Sequence, residues 1–321
     1  MPMTAVPLAL ALAMAGTVPV TSSAPVAALQ KQLDGLAGPA VVGIHAVRLA
    51  DGATVALRAG ERFPMASVFK LPIALAVFRA AEKGTLKLDE TLAVKEDDLR
   101  EGIDDSKVLA GTKWTLEALV ETMLADSDNT ACDLLLARLG GARKVEAALH
   151  ELGLAEIDIT WTELQMLLVW AGVGEEPVKD CSPACSQALR KAKTEAQRQA
   201  GHRVFLTSGS NTATPELLTK LLSRLDRGEL LGPALTAKLT GVMQGNRTGD
   251  RRIRALLPKA AKVADKTGTH GPVANDVALL TLGNGKGRLA LAVMVRSDEP
   301  LPAREKRIAR IAKAVYDGMS K

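Results

Sequence analysis

Three short motifs stand in order along this chain: Ser-Val-Phe-Lys at 67–70, Ser-Asp-Asn at 127–129 and Lys-Thr-Gly at 266–268. They are far apart in sequence, so a fold that uses them together must bring distant segments to one place. Read alone, each is ordinary. Ser67 is a helix N-cap, Ser-Asp-Asn followed by Thr130 is a cap or a turn, and Lys-Thr-Gly ends a strand. Read together, they supply a serine nucleophile, two lysines, a second serine and an amide, which are the groups of serine acyl transfer.

The spacing carries the chemistry. A serine hydroxyl is a weak nucleophile until a neighbouring base takes its proton. Residues three apart share a helix face, so a helix over 67–80 turns Ser67 and Lys70 the same way. The segment SVFKLPIALAVFRAAEKG has apolar residues at helical spacing and Gly84 as a stop after Lys83. Pro72 falls in the first turns, where its missing N–H costs least. A helix start at Ser67 favours an oxyanion there. Lys70 would act as a neutral base, its pKa lowered by the like charge of Lys266. Ser127 would relay a proton to the leaving nitrogen, Asn129 would hold a substrate amide, and Lys266 and Thr267 on an edge strand would hold a carboxylate.

The ordered trio resembles the signature of class A β-lactamases and of the penicillin-recognising enzymes related to them. Three further stretches resemble that family: LLLARLGGARKVEAALHELGL at 134–154, NTATPELL at 211–218, and the run from Met243 to Leu280 around Lys-Thr-Gly. The resemblance covers roughly residues 28–318. It implies an α/β (α+β) fold of β-lactamase/transpeptidase type, an antiparallel sheet with flanking helices beside an all-α lobe, with the site between them. The α/β lobe would take 25–66 and 209–321, and the helical lobe 67–208. It also implies roles for Gly268 and Thr269 beside Lys266 and Thr267 in substrate binding. The N–H groups of Ser67 and Thr269 would form an oxyanion hole. Arg252 matches an arginine that some members place beside the Lys-Thr-Gly strand to hold the substrate carboxylate; the other reading is a solvated strand arginine. The family's aromatic wall would fall near Gly102, where this chain has none. His270 reads as an exposed histidine beside the site.

The chain departs from the family where the acyl-enzyme is hydrolysed. Glu163 stands at the family glutamate's distance from Ser127, but Trp161 replaces the arginine before it and Leu167 the asparagine that shares its water. Glu163 is then either the deacylating base or merely a residue of a helix that packs Leu and Trp inward. The loop 163–215 is enlarged by an insert near 172–204, which includes the amphipathic-looking helix SQALRKAKTEAQRQAG. The implied activity is β-lactam hydrolysis with slowed deacylation. The alternatives are an esterase or DD-peptidase-like hydrolase, and a β-lactam-binding protein that does not hydrolyse.

Composition narrows the class further. The net charge of +5 is spread along the chain and no Lys/Arg block interleaves with aromatics, so nucleic acid is not an expected partner. A small-molecule β-lactam is the expected partner of a monomer, with no cofactor and no metal. The apolar run Ala5–Ala15 has the length of an export-signal core and is too short to span a bilayer, although no Lys or Arg precedes it. The expected signal is 1–24, and the expected location is periplasmic or secreted. Ala24–Leu36 has helical spacing, and AVVGIHAVRLADGATVAL reads as two strands turned at Asp51-Gly52. Cys132 reads as a small buried apolar residue. Cys181 and Cys185 flank Ser-Pro-Ala; they form a short disulfide loop in an oxidising compartment or stay free, and zinc lacks further ligands nearby.

Overall fold

A computed structural model describes residues 24–102, 106–176 and 181–321. The apolar run read as an export signal lies outside them. No helix among the described residues is long and apolar enough to cross a membrane.

The chain opens with helix α1 (Ala24–Ala37) and strands β1 (Val41–Arg48) and β2 (Thr54–Leu57). Short strand β3 (Phe63–Pro64) leads to a 3-10 turn at Ala66–Phe69 and helix α2 (Lys70–Glu82). Strands β4 (Thr91–Ala93) and β5 (Lys113–Thr115) pair with each other ahead of helices α3 (Leu116–Ala125), α4 (Asn129–Leu139) and α5 (Ala142–Glu151). Helices α6 (Glu163–Trp170), α7 (Pro183–Lys191) and α8 (Glu195–Thr207) follow, then β6 (Thr212–Ala213) and helices α9 (Pro215–Asp226) and α10 (Pro233–Gln244). The chain closes with β7 (Val263–His270), β8 (Val273–Thr281), β9 (Arg288–Arg296) and α11 (Leu301–Met319).

The large sheet is antiparallel, in the order β2-β1-β9-β8-β7. Its central strands are buried on both faces, so they read as nearly unbroken apolar runs. One face, with Ile44, Ala46, Leu291 and Val293, packs on α1 and α11 through Leu33, Ile308 and Val315. The other, with Ala290, Ala292 and Met294, meets α9 through Leu218 and Leu221. Gly43 is small of necessity there: a Cβ would lie 2.5 Å from the Phe63 ring and 2.8 Å from Pro215. The two strands expected at 41–57 form, and Gly52 turns between them with φ +75°.

Helix α2 is buried from Lys70 to Phe78 and runs through the middle of the helical region, against α3, α4, α5 and α10. A helix that is apolar all round belongs inside. It ends at Lys83, and Gly84 follows in the left-handed region as the sequence indicates.

Two local expectations are corrected. Ser67 does not cap the helix. It sits inside the 3-10 turn, whose N-cap is Met65 with no side-chain cap, and α2 begins only at Lys70. Outside partners impose the tight turn. Asn275 Nδ2 donates to Pro64 O (2.9 Å) and Met65 O (3.0 Å), and the Met65 N–H donates to Asn211 O (2.9 Å). The insert, in turn, is not one helix but two. Ser182 caps α7, and Thr194 and Gln197 form a reciprocal capping box that starts α8 afresh.

Cys181 and Cys185 are bonded, with their Cα atoms 5.3 Å apart, and Cys132 is free and buried. The loop they close is short, so the bond stabilises the insert locally and little else. Thiol titration of oxidised, denatured protein is expected to find a single reactive group; three would contradict the bond.

Candidate active site

The three motifs meet at a cleft of about 510 Å³ lined by Ser67, Ser127, Asn129, Glu163, Thr267 and Thr269, among others. The nucleophile turn is pressed onto the strand that carries Lys-Thr-Gly. A Cβ at Gly268 would lie 2.4 Å from Met65 O and 3.1 Å from the Ser67 nitrogen, so only glycine lets β7 approach Ser67 so closely.

Lys70 is fully buried and forms the hub. Its Nζ donates to Asn129 Oδ1 (2.6 Å), Ser127 O (2.6 Å) and Ser127 Oγ (3.3 Å). It also lies 2.9 Å from Glu163 Oε1, an ion-pair contact whose angle falls short of a hydrogen bond. No hydrogen bond joins Lys70 to Ser67 in this structure; Ser67 lines the cleft and Lys70 lies buried behind Ser127 and Asn129. Catalytic hydrogen bonds in a substrate-free site commonly tighten only when substrate binds.

Ser-Asp-Asn divides its labour. Asp128 is the cap, accepting from the Ala131 N–H at 2.8 Å and from Ser106. Ser127 and Asn129 are thereby turned toward Lys70. Ser127 has φ +64°, a strained value for a non-glycine residue and one held by the surrounding structure. Asn129 Nδ2 donates to Glu101 O at 2.7 Å, and Gly102 leaves it room: a Cβ there would lie 2.3 Å from Nδ2.

Lys266 is fully buried and donates to Ser127 Oγ (3.0 Å) and Thr267 O (2.9 Å). Burial and then the charge of Lys70 bring its pKa down to about 7. Thr267 shares a short hydroxyl contact with Thr248, which sequence reasoning missed; Thr248 is held by Asn246 Oδ1.

Arg252 lines the cleft but is only 3% exposed. Its guanidinium donates to Gly268 O (3.0 Å), Asn275 O (2.8 Å) and Thr269 Oγ1, and it pairs with Glu305 at 3.3 Å. It is not a solvated strand arginine: it clamps the strand and orients Thr269.

Glu163 belongs to a packing helix and also faces the cleft. WTELQMLLVW contains a helix that packs Leu164, Met166, Leu168 and Val169 inward, and Glu163 is the first residue of that helix with its carboxyl in the cleft. Burial raises its pKa, and the Lys70 charge opposes that. Asp133, a second residue the sequence gave no reason to single out, fixes the helix start. Its Oδ1 accepts from the Glu163 N–H (2.7 Å), its Oδ2 accepts from the Leu164 N–H (3.2 Å), and Arg100 pairs with it at 2.7 Å. Leu167 lines the cleft with its apolar side chain.

His270 is not an exposed histidine. It packs against Phe205 (ring centroids 4.7 Å apart) and edge-on to Trp170 (4.9 Å), and burial beside His202 lowers its pKa to about 4. The signal was invisible because its partners are distant in sequence.

A sequence model described as the β-lactamase enzyme family matches residues 26–319. The chain belongs to that family. It is 28% identical over 287 residues to β-lactamase VEB-1 of Pseudomonas aeruginosa, covering 86% of this chain and 84% of that one. It is 31% identical over 275 residues to a β-lactamase of Amycolatopsis lactamdurans, covering 85% and 76%. Among solved structures it resembles the TLA-3 extended-spectrum β-lactamase, with a TM-score of 0.75 at 26% identity over 92% of this chain and all of that one. The expected fold of antiparallel sheet with flanking helices is therefore the family's own.

A pH dependence follows from Lys266. With its pKa at about 7, it is charged below that pH and increasingly neutral above it. In the free protein, kcat/KM for a carboxylate-bearing substrate should fall toward about tenfold per pH unit well above that pKa. A flat profile from neutral pH to about two units above it would contradict a role for the Lys266 charge in binding.

Proposed function

We propose that this protein hydrolyses β-lactams through an acyl-enzyme on Ser67. The observation that carries the reading is the contact of the buried Lys70 ammonium with Ser127, Asn129 and Glu163, which line the cleft together with Ser67. Relatives along most of the chain are β-lactamases by name.

The roles follow from the contacts. Lys70 and Glu163 share a buried proton. Passing it to the Glu163 carboxylate, whose basicity burial has raised, leaves Lys70 a neutral amine next to the serine. Ser67 then gives its proton to that amine as Oγ attacks the lactam carbonyl. The N–H groups of Ser67 and Thr269 receive the oxyanion. The C–N bond breaks, and Ser127 protonates the departing nitrogen while drawing a proton from Lys70 or Lys266. Lys266, Thr267, Thr269 and Thr248 grip the substrate carboxylate, with Arg252 holding Thr269 in place. Asn129 holds the acyl amide, and Gly268 keeps the strand close enough for both.

Deacylation requires Glu163 first to return its proton to Lys70, and then to deprotonate a water and aim it at the ester carbon. The Glu163 carboxyl in the cleft supports this role, and the apolar Leu167, at the position of the family's asparagine, gives the water no second ligand. The water is then held from one side only, so the second step is the slow one. The α/β region at 25–66 and 209–321 supplies the carboxylate grip, and the region at 67–208 supplies the proton machinery. The protein acts as a monomer after export, where its disulfide persists.

A chromogenic cephalosporin assay should show a burst of product followed by a slower steady rate, with an intact-mass adduct accumulating on Ser67. Ser67→Ala should keep the fold and lose all covalent labelling by penicillin; a label on any other serine would rule out the assignment. Glu163→Gln should still acquire the adduct and hold it longer than the parent. If it deacylates as fast as the parent, Glu163 is not the base.

A further inference from the structure

Helix α6 carries Glu163 and has only eight residues, too few to be stable by itself. Its start is held by Asp133 and by the capping box of Thr162 and Gln165. Its other end and its outer face are covered by the insert. Trp170, the last residue of the helix, stacks on His202 of α8 with ring centroids 3.7 Å apart and meets Phe205 edge-on at 5.5 Å. The benzo edge of the same indole presses on the β7–β8 turn: a Cβ on Gly271 would lie 2.1 Å from it. Backbone contact closes the join. A Cβ on Gly201 of α8 would lie 2.2 Å from Val169 O, and one on Gly172 would lie 2.2 Å from Gln197 O. Around the outer face, Leu164 and Leu168 pack on Cys181, Cys185 and Leu189.

We propose that the insert is a positioning device for deacylation: by clasping Trp170 with His202 and Phe205 against the β7–β8 turn, it holds Glu163 at a fixed distance from the acylated serine. The proposal rests on the acyl-enzyme reading above and assigns the positioning role to Trp170, His202 and Phe205, none of which is given a chemical step. The disulfide serves the same end from the outer face, where it packs behind the residues next to Glu163. The geometry explains why an enlarged loop is compatible with a site that needs sub-ångström placement. The added helices do not hang from the loop but back the one short helix that bears the base.

A merely structural insert would lower stability and both chemical steps together, whereas a positioning insert moves only the second step. The test measures acylation and deacylation rates separately by rapid-quench intact-mass spectrometry with benzylpenicillin, together with melting temperature. His202→Ala removes the outer stack from a half-exposed position, and His202→Phe restores a flat ring. The proposal expects His202→Ala to acylate at the parental rate and to deacylate roughly 10- to 100-fold more slowly, the scale of loss for a misplaced reacting group. His202→Phe should recover most of that loss. The double variant Cys181→Ser/Cys185→Ser should show the same one-sided slowing to a smaller degree. Equal falls in both rates, unchanged rates in His202→Ala, or no recovery in His202→Phe would each overturn it. A parent protein that forms no Ser67 adduct would instead remove the functional reading, and this proposal with it.

Discussion

The structure of the site depends on one buried ammonium. Lys70 is fully buried, so its charge must be satisfied by protein groups; an unpaired charge in such a place would lose its proton or open the structure. Ser127 O, Asn129 Oδ1 and the Glu163 carboxylate meet that demand. They come from the loop before α4, from α4 itself and from α6, so neutralising one charge fixes three segments about the cleft. The strained φ of Ser127 persists because its carbonyl and hydroxyl are both committed to lysines.

A second buried lysine on the far wall completes the arrangement. Lys266 shares Ser127 Oγ with Lys70, and burial together with the Lys70 charge brings the Lys266 pKa down to about 7. Beneath it, the acidic groups Asp265 and Asp276 are buried in the sheet with Arg252, Arg254 and Asn246 around them. Burial holds both carboxyls above the usual range, and at Asp276 the neighbouring Asp265 adds to it. The wall that would grip a substrate's carboxylate is thus backed by a network of charges that offset one another, rather than by a single cation.

Much of this was legible in the sequence, for a definable reason. Ser67, Lys70, Ser127, Lys266 and Glu163 belong to chemistry that demands particular residue types at particular spacings. The first two strands, over 41–57, announced themselves on either side of the Asp51-Gly52 turn. What stayed hidden were lone polar residues whose partners lie far away in the chain. Asp133 holding the start of α6, Asn211 tying Thr160 and Trp161 to Met65, and Asn275 fixing the nucleophile turn carry no local pattern. The aromatic join of Trp170, His202, Phe205 and His270 is hidden for the same reason. The break in the insert, by contrast, is readable: Thr194 and Gln197 form a capping-box pattern inside the amphipathic stretch SQALRKAKTEAQRQAG.

The central claim is that Lys70 builds the site as a buried cation and drives acylation as the amine that takes the Ser67 proton. Replacing Lys70 with Met keeps the side-chain length and removes the charge. Time-resolved intact-mass spectrometry of Lys70→Met with benzylpenicillin, with circular dichroism to confirm the fold, tests this most directly. The account predicts a folded but less stable protein, because Glu163 and Asn129 lose their partner, with acylation of Ser67 slowed by about 100-fold or more, the scale of a lost general base. Acylation at the parental rate in a folded Lys70→Met protein would contradict it.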